Sequence, residues 1–286
     1  MGTLMRSLDW SRTPLGASKS WPQSLRTVVG ILLNSRYPMF LAWGPQLAFL
    51  YNDGYRPIFG DKHPRALGQP FAAVWREIWE DIRPLVERAL SGEATWSEDL
   101  RLFMERRGFP EEVYFTFSYS PVRDDDGLIA GMFCACTETT GEIVGRRRLK
   151  ALSDLAGAIA NARSVPAACR LTVDVLAANT SDLPFALIYL LEDDGNRARL
   201  VATSGCPAGE AVSPRVVAIG AEGSRGWPFE ATLSGGRQVF RDLDPELRLP
   251  GGPWPEPATT ATILPLIWSG RDRPGGYLVL GASPRL

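Results

Sequence analysis

Apolar positions recur along the chain at two periods, and the switches between them mark out its elements. Leu25, Val28, Val29 and Leu32 are spaced as one face of a helix over about residues 21–34, with Ser20 and Pro22 at its start. Two short apolar runs, 39–43 and 47–51, flank Gly44-Pro45 and predict a hairpin at a sheet edge. Asn52-Asp53-Gly54 opens another turn, and 55–59 predicts a short helix closed by Gly60. Across 71–91 the spacing is helical again. Ile82, Leu85, Val86 and Ala89 form one face behind an Asp81 cap with Pro84 in the first turn, leaving Trp75, Ile78 and Trp79 to a shorter helix before it. From Thr95 the period falls to two. Val113, Phe115, Phe117 and Tyr119 alternate with Tyr114, Thr116, Ser118 and Ser120, which predicts a strand with an aromatic face, ended by Pro121. Asp124-Asp125-Asp126-Gly127 is a hairpin turn, and 128–137 is the returning strand.

The period returns to that of a helix over 142–162, where Leu149, Leu152, Ala156 and Ile159 make a stripe beside the cluster Arg146, Arg147, Arg148. Two heptads leave two readings open: a solvated charge run beside a core helix, or a linker that pairs with a second copy of itself. Helical residues run on to about Asn179. Strands are then predicted at 185–191, 200–203, 216–219, 238–240, 262–267 and 277–280, with Gly and Pro between them. The expected fold is α+β with two domains, each a central antiparallel sheet flanked by helices and joined by a helical linker. The expected boundaries are a lead-in at 1–20, a first domain at 21–141, the linker at 142–162 and a second domain at 163–286.

Composition narrows the chemistry. The 286 residues are 45% hydrophobic and 22% charged, which excludes disordered and low-complexity classes. A formal charge of -1 gives no general attraction to nucleic acid or anionic membranes. No run approaches the length of a membrane span, and no signal sequence opens the chain, so a cytoplasmic protein is expected. His63 is the only histidine, which excludes multi-histidine metal centres. Four cysteines (Cys134, Cys136, Cys169 and Cys206) form neither a C-x2-C pair nor a disulfide framework, as fits a reducing compartment.

Motifs for enzyme chemistry are lacking. There is no G-x-S-x-G elbow, P-loop or G-x-G-x-x-G turn, and the spacing of Gly220, Gly223 and Gly226 is wrong for a phosphate cradle. His63, in Asp61-Lys62-His63-Pro64, reads as a loop histidine satisfied locally, with axial haem ligation the sharper alternative. Cys134 and Cys136 lie two apart on a strand and share a face, reading as core packing or as thiol sensing. The aromatic load is more telling. Phe115, Phe117 and Tyr119 face one way, where Trp43, Phe49, Tyr51, Trp75 and Trp79 would close over them. Such a face makes either a solid core or a candidate pocket for a flat ligand.

These features resemble a PAS sensory domain over about 21–140. The resemblance is carried by Tyr51-Asn52-Asp53-Gly54-Tyr55, by 61–68, by 115–122 with the Asp-Gly turn, and by the strand ending Thr137-Glu138-Thr139-Thr140. With Asp9-Trp10-Ser11, Pro14-Leu15-Gly16 and Trp21-Pro22, it resembles the N-terminal domains of soluble bacterial multidomain sensor histidine kinases. The second domain resembles a GAF domain through 185–190, Gly235-Gly236-Arg237-Gln238-Val239, 261–266 and 276–281. Many PAS domains end in Asp-x-Thr, whose Asp couples sheet to linker. Thr137-Glu138-Thr139 stands here instead, which puts that contact in question. The flavin-bonding, bilin-anchoring and cyclic-nucleotide motifs of these families are missing, and haem is not expected, so the cofactor stays unassigned.

What the resemblance implies is a non-enzymatic sensory or regulatory module of two-component signalling. It would couple a pocket signal through Thr137, Glu138 and Thr139 and the stripe Leu149, Leu152, Ala156 and Ile159 to a linked or partner histidine kinase. A homodimer through the linker and a small-molecule ligand are the expected partners, with no nucleic acid or membrane. The chain ends at Leu286 with no kinase core or phosphoacceptor histidine and without the closing helix usual in a GAF domain, and looks like the input half of something longer or a truncated product. The alternatives are an interaction scaffold with a solid core, and a small-molecule enzyme using His63 or Glu111 and Glu112.

Overall fold

The computed structural model describes residues 1–220, 226–232, 236–240, 249–268 and 273–286. Two compact units divide the chain, essentially Met1–Gly145 and Arg146–Pro284.

In the first unit, α1 (Gly2–Ser7) and α2 (Gln23–Asn34) precede a hairpin of β1 (Met39–Trp43) and β2 (Ala48–Tyr51). Short helices α3 (Arg56–Phe59) and α4 (Phe71–Val74) and a longer α5 (Trp79–Leu90) follow, then β3 (Thr95–Glu105), β4 (Pro110–Arg123) and β5 (Ile129–Glu138). The strands form one antiparallel sheet in the order β2-β1-β5-β4-β3, so the last strand in sequence lies in the middle. The expected hairpin is the sheet's edge.

Three details depart from the periodicity. Helix α2 opens at Gln23, and its free N–H groups are met by the β4–β5 turn: Asp125 accepts from Gln23 N (2.9 Å) and Ser24 N (2.8 Å). Ser20 instead closes a separate 3-10 turn at Ser18–Ser20. Trp79 opens α5, so Asp81 lies in the helix's first turn and Pro84 lies inside it. Pro121 does not end β4, which runs on to Arg123. Its missing N–H is tolerated because the β3 pairing has already run out at Thr95↔Tyr119, leaving β4 an edge on that side.

Helix α6 (Thr140–Ala160) follows β5 after one residue and buries only Val144. The helical run expected to reach Asn179 breaks at 161–164. There Ser164 accepts from Ala167 N and caps a new helix, α7 (Val165–Ala177).

The second unit continues with β6 (Ala186–Leu191), β7 (Arg197–Ser204), β8 (Val216–Ala218), β9 (Gln238–Phe240), β10 (Ala261–Ile267) and β11 (Pro274–Gly281). They form a six-stranded antiparallel sheet in the order β8-β7-β6-β11-β10-β9. One face carries Leu187, Tyr189, Ile263 and Val279 into a core with Trp227 and Phe229. Phe229 and Tyr277 stack there, with ring centroids 4.3 Å apart. Cys169 and Val173 of α7 pack with Ile188 and Ala202 in a smaller cluster. Gly223 and Gly235 lie outside the described residues. The chain is therefore α+β, with two antiparallel sheets flanked by helices.

Candidate functional site

The interior of the first unit is built from side-chain parity. Inward positions of β4 place Phe115, Phe117 and Tyr119 on one face, and the register sets Phe117 opposite Cys136 and Tyr119 opposite Cys134 on β5. Phe40, Tyr55, Ile58, Phe71, Trp75 and Ile78 close over them around a cavity of about 30 Å³. That is room for about one small group, since a single water needs at least ~10–15 Å³ on this measure. The surrounding rings are tightly layered. Phe49 stacks on Phe71 and Phe59 on Trp75, both at 5.2 Å, while Lys62 Nζ lies 4.3 Å from the Trp75 ring centroid. Burial, with the two cysteines adding to it, holds the Tyr119 phenol well above its ordinary range.

Of the eight aromatic residues expected around a pocket, Trp75, Phe115, Phe117 and Tyr119 line this cavity. Phe49 and Tyr51 are buried one layer away, and Tyr51 Oη pairs with His63 Nδ1 at 2.8 Å. Trp79 sits edge-on to Phe71. Trp43 belongs to the other side of the sheet. It is three residues from the inward Phe40, so the pleat points it oppositely, and it lines a surface groove with Pro45, Leu47 and Leu128. Phe40, Tyr55 and Phe71 were missed. The alternation of Phe40 with Leu41 was the available signal for the first of them.

The second part of the site is the junction of β5 with α6. The Thr137 and Tyr37 hydroxyls are hydrogen-bonded to each other. Glu138 takes both terminal nitrogens of Arg106, Nη1 at 2.8 Å and Nη2 at 3.1 Å, and accepts from Thr140 Oγ1 at 3.0 Å. Arg106 is 5% exposed and also donates to buried Glu111 at 2.9 Å. Burial works against its charge, but the bonds to the two carboxylates outweigh this and hold it above the ordinary arginine value. Thr139 Oγ1 donates to Asp99 at 2.7 Å. Asp99 has a left-handed φ of 48°, at a bulge in β3 between Ser97 and Leu100. Here Glu138, the middle residue of Thr137-Glu138-Thr139, supplies the sheet-to-helix carboxylate contact. Its partner Arg106, in the β3–β4 turn, carried no signal in the sequence.

The Arg106 carbonyl accepts from Asp61 N at 2.9 Å. Gly60, at φ 54°, passes so close that a Cβ there would strike that carbonyl. The same turn borders an open cleft lined by Lys62, Arg65, Arg76 and Glu77. Beyond the junction, Leu149, Leu152 and Ile159 are 69%, 62% and 50% exposed, and Ala156 is exposed between them. Lys150 and Asp154 pair with each other off this stripe.

Each of the residues considered for catalysis has a hydrogen-bond partner. His63 is bonded to Tyr51, Glu111 to Arg106, and Glu112 accepts from Tyr114 Oη at 2.8 Å. No group of three or more metal-ligating side chains occurs among the described residues. No helix among them is long and apolar enough to cross a membrane.

Residues 33–143 match the family model described as the PAS fold, and the first unit carries that fold. No curated protein matches the chain. Solved structures similar to it include the GAF domain of a phosphoenolpyruvate-protein phosphotransferase from Acinetobacter (15% identity, TM-score 0.36, covering 49% of this chain and 79% of that one). A PAS domain from Colwellia psychrerythraea is 16% identical at TM-score 0.32, covering 41% and 97%. The PAS domain of BvgS from Bordetella pertussis is 17% identical at TM-score 0.31, covering 46% and 98%. The match over these residues supports a signal-sensing module.

Proposed function

We propose that the chain is a non-enzymatic input module of bacterial two-component signalling. In this reading a PAS domain and a GAF domain act through α6 on a linked or partner histidine kinase, in the cytoplasm and as a homodimer. The observation that carries it is the junction: β5 leaves the interior at Cys136, and within three residues Glu138 and Thr139 are tied to Arg106 and Asp99. A displacement of β5 relative to β3 is thereby imposed on the first turn of α6. The stripe Leu149, Leu152, Ala156 and Ile159 has the 3-4-3 spacing of a two-helix seam and carries no charge. A ligand that binds the two junction geometries unequally would shift the pairing of α6.

The test is pairing itself. In the full chain, Leu152→Asp is expected to convert a dimer to a monomer in light scattering. A cysteine at Leu149 is expected to crosslink to its partner copy, with a yield that changes for Glu138→Ala. A monomeric wild-type chain, or a crosslinking yield indifferent to Glu138, would overturn the reading. A second reading, an interaction scaffold without ligand, draws support from the 30 Å³ interior, too small for a flavin or haem.

A further inference from the structure

We infer that Arg106 is a two-position latch, held by Glu138 in this structure and able to transfer to Glu111, and that the transfer loosens the junction of β5 with α6. A guanidinium presents its N–H groups as a rigid fork that can grip a carboxylate from its end or from its side. The end, Nη1 and Nη2, grips both oxygens of Glu138 at 2.8 and 3.1 Å. A second grip, from Nη2 and Nε along the side, is half made on Glu111, where Nη2 donates to Oε2 at 2.9 Å. The other half would join Arg106 Nε to Glu111 Oε1. Those two atoms are both buried without a hydrogen-bond partner among the described residues.

The two carboxylates differ in what they can give up. Glu111 is buried within the β3–β4 ladder, opposite Met104. Glu138 ends β5, keeps 30% of its side chain exposed, and also accepts from Thr140 Oγ1. Released by Arg106, it retains that hydroxyl and gains water. The backbone of Arg106 is held in place, by Asp61 N on its carbonyl and by the close pass of Gly60. The exchange therefore falls to the side chain. A swing that closes Nε on Oε1 satisfies two buried polar atoms and gives up bonds to a partly exposed carboxylate. An unmade buried hydrogen bond and a charge-assisted bond near solvent are of comparable size, so the two positions compete. Glu138 is the contact that moves, and the bond of Thr139 to Asp99 is left as the pivot.

The latch rests on the signalling reading only for its effect on α6 pairing. The experiment follows the Arg106 Nε–H by nuclear magnetic resonance in the full chain, with Arg106→Lys to assign the signal. The wild-type signal is expected to be broadened by exchange between the two positions. Glu138→Gln is expected to favour Glu111, moving the signal downfield and slowing its exchange with solvent about tenfold. Glu111→Gln is expected to move it the opposite way. Opposite signs separate a latch from a static ion pair. A sharp wild-type signal, or two variants that shift it in the same direction or not at all, would sink the proposal. The wild-type measurement decides alone should Glu111→Gln fail to fold. With Leu149→Cys added, the two variants are expected to change crosslinking in opposite directions. Opposite shifts at Arg106 with unchanged crosslinking would count against the signalling reading and leave the latch standing.

Discussion

Arg106 is the residue on which the junction of β5 with α6 depends. Its guanidinium neutralises Glu111, itself 6% exposed, and fixes Glu138. Removing one partner of a buried pair leaves the other charge uncompensated. Arg106→Ala is expected to destabilise the first unit by about 3 kcal/mol, read as a shift in a denaturant transition. Glu138→Gln keeps the shape and should cost less. His63 makes a different prediction. Burial, followed by the Arg56 guanidinium, holds its imidazole below the ordinary histidine value. An unfolded chain then takes up the proton first as pH falls, so stability should decline below about pH 6.5 and level off once the folded value is passed. Comparing denaturation midpoints at several pH values with those of His63→Gln isolates this slope, which the variant should lack. Residue roles were only partly legible. The inward set on β4 was plain because every second residue is large and apolar. Trp43 was misassigned because bulk was read without pleat parity. Arg106 was invisible, because an arginine in a turn declares nothing until two distant carboxylates meet it.

At the scale of elements, α2 shows how a helix start can be set from far away. Asp125, on the β4–β5 turn, meets the first two N–H groups of a helix a hundred residues earlier, and those bonds hold its carboxyl below the usual range. Asp125→Ala is expected to lower the melting temperature and to speed amide exchange at Gln23 and Ser24. In the wild type this contribution should be present above the ordinary aspartate range and be lost as pH falls through the depressed value. Local cap rules look only a few residues away, which is why Ser20 was preferred. Pro121 has the same explanation in a strand, for whether a missing N–H matters depends on a neighbour that local sequence does not name. Elements whose signal is internal, such as the β1–β2 hairpin and helix α6, were read directly.

For the whole molecule, the two units bury separate clusters, one around Phe40 and Phe49 and the other around Tyr189 and Phe229. Each therefore has the means to fold alone. Residues 1–160 expressed alone are expected to be cooperatively folded, with a denaturation midpoint close to that of the matching transition in the full chain. A molten fragment, lacking near-ultraviolet dichroism, would contradict this.

The strand order has a last consequence. Because β5 is the middle strand, its amides and carbonyls are shared between β1 and β4, while β3 and β2 take the fraying edges. The helix that leaves the sheet is thus geared to its quietest member. It should follow its two flanking strands through that pairing, and the rim only through the ties of Glu138 and Thr139 to Arg106 and Asp99. Deuterium uptake would express this as a ranking, with β5 the last strand of its sheet to exchange.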